Sequence, residues 1–302
     1  MAIPEKQLDT WANVGAEKAA SDTYSSIKAA VDADSALKEF DYKVYLQGSY
    51  RNSTNVYGDM DVDVVVESTK SFYYDIDDLT EPQKAEFKQR FPGDSEYTFV
   101  RFRTAVEKAL ASYYSTDLVT HRNKCILVTG KSGRLDADVV PCVQYRDYRK
   151  NSAPKLPDPY QGIVLFTRDA NRKIVNYPIA HYDNGVTKNK TSSEHFKPAV
   201  RIFKNLRNHC VANDLISADK ASSYFVGCLI YNAPNESFKK SNHDTVLAIL
   251  QWLHDLTDEQ FDKLVCQNEL FYLVRDEPGL WKPGDAKVFR NAAIKAWNDW
   301  GK

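Results

Sequence analysis

The chain has 302 residues, 43% of them hydrophobic and 12% aromatic, which is enough for one large or two ordinary domains with real cores. Its 40 lysines and arginines nearly balance 41 acids, for a net charge of −1, so total charge excludes a nonspecific nucleic-acid or membrane binder and any basic site must be local. No run of about 18 apolar residues exists, and the opening MAIPEKQLDTW lacks the layout of a signal peptide, so a cytoplasmic protein is expected.

Leu8, Trp11, Val14, Ala19, Ile27 and Val31 recur at mostly three- and four-residue spacings, which predicts one long amphipathic helix from about Pro4 to Asp34, then a short helical piece near Phe40. Lys43 to Glu67 reads as a strand, a Gly-Ser turn at Gly48 and Ser49, a short connection and a strand, DMDVDVVV. Period-two alternation puts Asp59, Asp61 and Asp63 on one face of that strand and Val62, Val64 and Val66 on the other. Two carboxylates about 4 Å apart repel by roughly 4 kcal/mol at an effective dielectric near 20, a cost that a bound divalent cation reverses. Hard oxygen ligands of this kind suit Mg²⁺ or Mn²⁺.

Thr80 as an N-cap, Pro82 and the first-turn Glu81 predict a helix over Thr80 to Phe91. A further helix is predicted over Tyr97 to Tyr114, with Val100, Thr104, Leu110 and Ala111 on one side. Two strands follow, Lys124 to Val128 and Arg134 to Val143, joined by a turn at Gly130 and Gly133. The Gly-Lys-Ser in that turn is no phosphate loop, because Cys125 stands where the motif needs its first glycine. The second strand, RLDADVVPCV, repeats the acid-apolar alternation at Asp136 and Asp138, and Pro141 is expected at a strand end or edge. If it runs beside DMDVDVVV, a third carboxylate joins the first pair.

SAPKLPDPYQG reads as an extended connection, and GIVLFT with KIVNYP as one more hairpin around RDANR. After Tyr177 the chain turns helical. Phe196, Val200, Phe203, Leu206 and Cys210 form an apolar stripe of a helix starting near Ser193 to His195, with Lys197, Arg201, Lys204 and Asn208 on another face. Helices are also expected at Ala221 to Tyr231, His243 to His254, Glu259 to Leu264 and Ala286 to Trp300. The five cysteines, Cys125, Cys142, Cys210, Cys228 and Cys266, are widely spread without a CxxC and read as buried thiols. The six histidines show no ligand spacing.

Gly48-Ser49, then Asp61-x-Asp63, then Asp138-Val-Val-Pro141 resembles the DNA polymerase β-type nucleotidyltransferase superfamily, and more narrowly the bacterial cGAS/DncV-like nucleotidyltransferases. QGSYRNST, DMDVDVVV, LDADVVP, FKPAVRIFKNLRN and SSYFVGCLIYN occur in that family's order, from about Val44 to Trp300. The resemblance implies an α+β fold, a polymerase β-like core over 1–178 with a mixed sheet and flanking helices. A helical domain over 179–302 follows, with the active site in the cleft between. It implies synthesis of a cyclic di- or trinucleotide from ATP and other NTPs for antiphage signalling, with two Mg²⁺ ions, or Mn²⁺, held by Asp61, Asp63 and Asp138. By the same resemblance Asp138 favours proton loss from the attacking ribose hydroxyl. Gly48 and Ser49 meet the terminal phosphates, Lys204 faces phosphate, and Ser223 with Tyr224 binds phosphate and stacks a base. Gly227 departs from the pattern, where many relatives carry Glu, a difference that bears on base preference rather than on catalysis. The zinc insertion of the animal DNA sensor is absent, so no DNA activation is expected, while regulatory proteins of an antiphage operon are implied as partners.

Read without that family, an isolated Asp-x-Asp is a solvated strand face, and Ser223 with Tyr224 an ordinary helix start. Lys197 and Arg201 read as a solvated stripe, Arg51 reaches either phosphate or solvent, and Asp59 and Asp136 are spare acids. Two alternatives to cyclic-nucleotide synthesis stand: a nucleotidyltransferase modifying an RNA end, a protein or a small molecule, and a noncatalytic nucleotide-binding protein. The missing basic surplus weakens the RNA version.

Overall fold

The structure is a computed structural model and describes residues 2–15, 17–58, 61–131, 133–149, 155–274 and 281–301. In chain order, the helices are α1 (Glu5–Ala12), α2 (Glu17–Ala33), α3 (Gly48–Asn52), α4 (Glu81–Arg90), α5 (Phe99–Tyr114), α6 (Pro178–Thr191), α7 (Phe196–Ala212), α8 (Ser223–Tyr231), α9 (Asn242–Asp255), α10 (Asp258–Asp262) and α11 (Pro283–Asn298). The strands are β1 (Tyr42–Leu46), β2 (Asp61–Asp75), β3 (Val119–His121), β4 (Ile126–Val128), β5 (Asp136–Asp147), β6 (Tyr160–Phe166) and β7 (Lys173–Asn176). The chain divides into two compact units, a sheet unit of Glu17–Tyr50 and Met60–Ile179, and a helical unit of Met1–Ala16, Arg51–Asp59 and Ala180–Lys302.

In the sheet unit, β1-β2-β5-β4-β3 form one mixed sheet, with β6 paired to β5 and β7 to β6. β2 and β5 run parallel, Asp61 opposite Asp136 and Asp63 opposite Asp138, so the two acid-apolar strands do lie side by side. Val62, Val64 and Val66 turn to one face with Ala137 and Val139, and pack on Ile27 and Val31 of α2 and on Phe102, Val106 and Leu110 of α5. Alternation therefore leaves the acids of both strands together on the opposite face. The predicted β4–β5 and β6–β7 hairpins form, both antiparallel. α4 begins as expected at Thr80, whose backbone N–H donates to Gln83 Oε1 at 3.0 Å in a capping box.

Three expectations need correction here. The long N-terminal helix is two helices, α1 and α2. Its break falls where Gly15 donates its N–H to Asn55 O at 3.2 Å and where a Cβ would lie 2.6 Å from Val56 O, so the backbone follows that neighbour instead of the helix. On α5 the buried face is Phe99, Phe102, Val106, Ala109 and Leu110, whereas Val100 and Thr104 are exposed and Ala111 is half-buried. Reading the stripe from Val100 set it about one residue off the phase that the phenylalanines choose. Pro141 lies inside β5. It is tolerated because β4 pairs with residues 137–139 of β5 and β6 with 143–147, which leaves no strand on that side of Pro141 to ask for its missing N–H.

The helical unit is built round the predicted apolar stripe of α7. Phe196, Val200, Phe203 and Leu206 pack with Leu8 of α1, Phe225 and Leu229 of α8, Ile249 and Leu253 of α9, and Phe289 of α11. The grouping of the N-terminal residues and of Arg51–Asp59 with this unit differs from a single boundary after residue 178, because Leu8 belongs to its core. Of the extended connection near 152–162, Ser152, Ala153 and Pro154 lie outside the described residues. All five cysteines are free, four of them buried and Cys125 half-buried. Among the described residues no helix is long and apolar enough to cross a membrane.

Candidate active site

Asp63 stands where β2 leaves its turn, and three constraints place it. Val62 and Val64 are buried on the core face, which sends the carboxylate the other way. Asp63's carbonyl accepts the N–H of Gln47 at 2.9 Å, which fixes the strand beneath the Gly-Ser turn. Gly48, with φ +67, presses so close that a Cβ there would sit 2.0 Å from Asp63 Oδ2. Only glycine combines that left-handed conformation with that approach. Ser49 follows in the first turn of α3, half-buried. Asp61 shares the face of Asp63 and is exposed.

Asp138 is half-buried opposite Asp63, and its two oxygens accept from Arg122 Nη1 at 3.1 and 3.4 Å. Beside it lies the Cys125 thiol, pushed up to about 12 by burial and by the negative charge of Asp138, with Asp63 adding a smaller push. That thiol stays protonated and is no nucleophile at neutral pH. Among the described residues no three His, Cys, Asp or Glu side chains draw together closely enough to hold an ion, and Asp138 is paired with Arg122. Asp136 accepts the N–H of Gly130 at 2.7 Å and so braces the β4–β5 turn, while Asp59 lies outside the described residues.

The helical unit holds the other expected residues. Lys204 is 4% exposed, and its ammonium donates to Thr54 O at 2.8 Å. Arg201, at 8% exposure, is not part of a solvated stripe, because its guanidinium donates to the carbonyls of Ala12 and Ser53. Lys197 is half-buried too, its ammonium held below the usual lysine range by burial. Arg51 stacks over the Tyr182 ring at 4.7 Å. Ser222, not Ser223, caps α8 by accepting from Phe225 N at 3.1 Å, so the helix start makes no demand on the Ser223 hydroxyl.

Tyr224 keeps 44% of its surface exposed. Its hydroxyl end is buried against the thiols of Cys228 and Cys266, which pushes it far above the usual phenol range. The ring lies nearly parallel to His181, centroids 5.4 Å apart at 22°, and to Trp281, 5.8 Å at 24°. Such a row of flat rings is the kind of surface on which nucleobases stack. The His181 imidazole is held down at about 4 by burial and by the Lys204 charge, so it is neutral at physiological pH, and its buried Nδ1 has no partner among the described residues. The sequence singled out neither Arg122 nor Cys125 nor His181 for a site. Arg122 and Cys125 sit at the tip between β3 and β4, whose register opposite Asp138 only strand pairing reveals.

Residues 183–298 match the cGAS/DncV-like nucleotidyltransferase C-terminal helical domain. Over 304 residues the chain is 38% identical to the cyclic UMP-AMP synthase of Rhodothermus marinus, with 100% of both chains covered. It is 34% identical over 304 residues to the cyclic nucleotide synthase CdnE01 of Staphylococcus haemolyticus, covering 99% of this chain and 100% of that one. The structure of the R. marinus CdnE c-UMP-AMP synthase with Apcpp and Upnpp superposes with a TM-score of 0.88 at 37% identity, over 99% of this chain and 98% of that one. Full-length similarity of this kind, on a fold that brings Asp63 and Asp138 into register, shows that the chain belongs to the cGAS/DncV-like nucleotidyltransferases.

Proposed function

We propose that this protein joins nucleoside triphosphates into a cyclic di- or trinucleotide, a second messenger of antiphage signalling made in the cytoplasm. The observation that carries the reading is the register of Asp63 with Asp138 on adjacent parallel strands, with Gly48 against Asp63. In each round a ribose hydroxyl loses its proton and its oxygen bonds to the α-phosphorus of an NTP, whose bond to pyrophosphate breaks. The last round joins the ends of one chain. Its relatives in R. marinus and S. haemolyticus are cyclic nucleotide synthases, which supports cyclisation here.

The carboxylate oxygens of Asp61, Asp63 and Asp138 are the donor type that suits hard divalent cations, Mg²⁺ or Mn²⁺, which when bound would neutralise triphosphate charge and favour ionisation of the hydroxyl. Asp138 then orients the attacking ribose hydroxyl. Ser49, with the Gly48 backbone, takes the terminal phosphates, Lys204 and Ser223 bind phosphate, and Tyr224 stacks a base, its phenol held neutral.

Purified protein is to be incubated with Mg²⁺ or Mn²⁺ and the four NTPs, and the products read by mass spectrometry after phosphatase treatment. Phosphatase-resistant cyclic products are expected. Linear products alone, or transfer to an added RNA, would replace cyclisation by the modifying reaction. The double variant Asp61→Asn with Asp63→Asn is expected to lose at least about 100-fold in rate, in line with removal of a principal electrostatic group. Unchanged turnover in it would sink the metal assignment.

A further inference from the structure

Arg122 is the counter-ion of Asp138 and has no part in the chemistry proposed above. The four-residue tip Arg122 to Cys125 between β3 and β4 is closed by the bond from Arg122 N to Cys125 O at 2.9 Å. A second tether holds the tip. Asn123 donates through Nδ2 to Asp169 Oδ2 at 3.0 Å and accepts the Arg168 N–H on Oδ1 at 2.9 Å. With the tip fixed at both ends and Leu127 of β4 in register with Asp138, the guanidinium lies directly over the carboxylate. The two partners differ in freedom, since the Arg122 side chain is 48% exposed and that of Asp138 only 19%. The carboxylate is held by its strand, and the guanidinium can swing into water.

We propose that Arg122 is a positioning residue that occupies the third carboxylate in the resting enzyme and must leave it when a divalent cation enters. This rests on the reading of Asp61, Asp63 and Asp138 as cation ligands. Arg122 Nη1 already engages both oxygens of Asp138, so an entering cation competes with it for them, and the two like charges repel at contact distance in a partly desolvated site. In the resting state Arg122 offsets the charge of Asp138. Once displaced, it presents a planar, permanently charged donor set, suited to phosphate oxygens, beside the acids. Cation binding and Arg122 pairing are thus competing states of one carboxylate.

The test is a Mn²⁺ titration of the nucleotide-free protein by electron paramagnetic resonance, on wild type, Arg122→Gln, Arg122→Lys and Asp63→Asn, with thermal unfolding to establish that each is folded. Loss of the competitor is expected to tighten Mn²⁺ binding in Arg122→Gln by roughly two- to fivefold, the range of a partly exposed ion pair, while Arg122→Lys stays near wild type. A merely structural role would weaken binding or leave it alone. Affinity in Arg122→Gln equal to or weaker than wild type, with Asp63→Asn clearly weakened, overturns the competition and leaves the cation site standing. Mn²⁺ affinity unaffected by Asp63→Asn removes the cation site itself, and the competition falls with it.

Discussion

Replacing Gly48 with Ala puts one methyl group into the closest approach of the site. The added Cβ would meet Asp63 Oδ2 at 2.0 Å and Cγ at 3.0 Å, from a backbone with φ +67. Reaching even 3.0 Å, below which real Cβ atoms are essentially never found, requires the oxygen to withdraw by about 1 Å. A displacement of that size in a reacting constellation costs on the order of 100-fold in rate. The left-handed backbone adds about 1 to 2 kcal/mol of strain for an L-residue, which lowers Tm by roughly 2 to 8 °C for a domain of 150 to 250 residues. Gly133→Ala separates the two effects, since Gly133 has φ +87 and no atom within 4 Å of an added Cβ. Pyrophosphate release from NTPs and thermal unfolding are to be measured on both variants. Both are expected to lose similar stability, and only Gly48→Ala to lose turnover. Full turnover in Gly48→Ala, or equal losses of turnover in the two, refutes the claim that Gly48 sets the position of Asp63.

Two further predictions concern the helical unit. Arg201→Met removes charged donors from the carbonyls of Ala12 and Ser53 in a buried position, so urea unfolding is expected to show about 3 kcal/mol of lost stability, with turnover per folded molecule retained. Unchanged stability with lost turnover would instead make Arg201 a phosphate ligand. His181 is held neutral, its value lowered from 6.5 to about 4, so below 6.5 the unfolded chain takes up a proton that the folded chain refuses. Stability is therefore lost as pH falls from 6.5 towards 4, by up to ~3 kcal/mol at 1.36 kcal/mol per pKa unit. In His181→Phe, unfolding between those pH values is expected to be flatter by about that amount. Identical slopes in the two proteins would show that His181 titrates normally.

Much of this was legible because short-range rules govern it. Period-two alternation sorted Asp61 and Asp63 from Val62 and Val64, a three- and four-residue stripe placed α7, and Thr80 with Glu81 and Pro82 marked the start of α4. The order of the Gly-Ser turn and the two acidic strands points to the family from the sequence alone. What alternation cannot supply is a partner. That Asp138 stands opposite Asp63 and not one residue off follows from the pairing of β2 with β5, strands separated by α4, α5, β3 and β4. The same limit hid Arg122, whose meaning comes from a hairpin tip folded back over a strand, and made Arg201 look solvated, because the carbonyls that bury it lie far away in sequence. Local sequence determined which faces are apolar and which residues are acids on a common face. Tertiary structure decided which of those faces meet, because a side chain's charge partner and burial are set by neighbours that the chain brings from a distance.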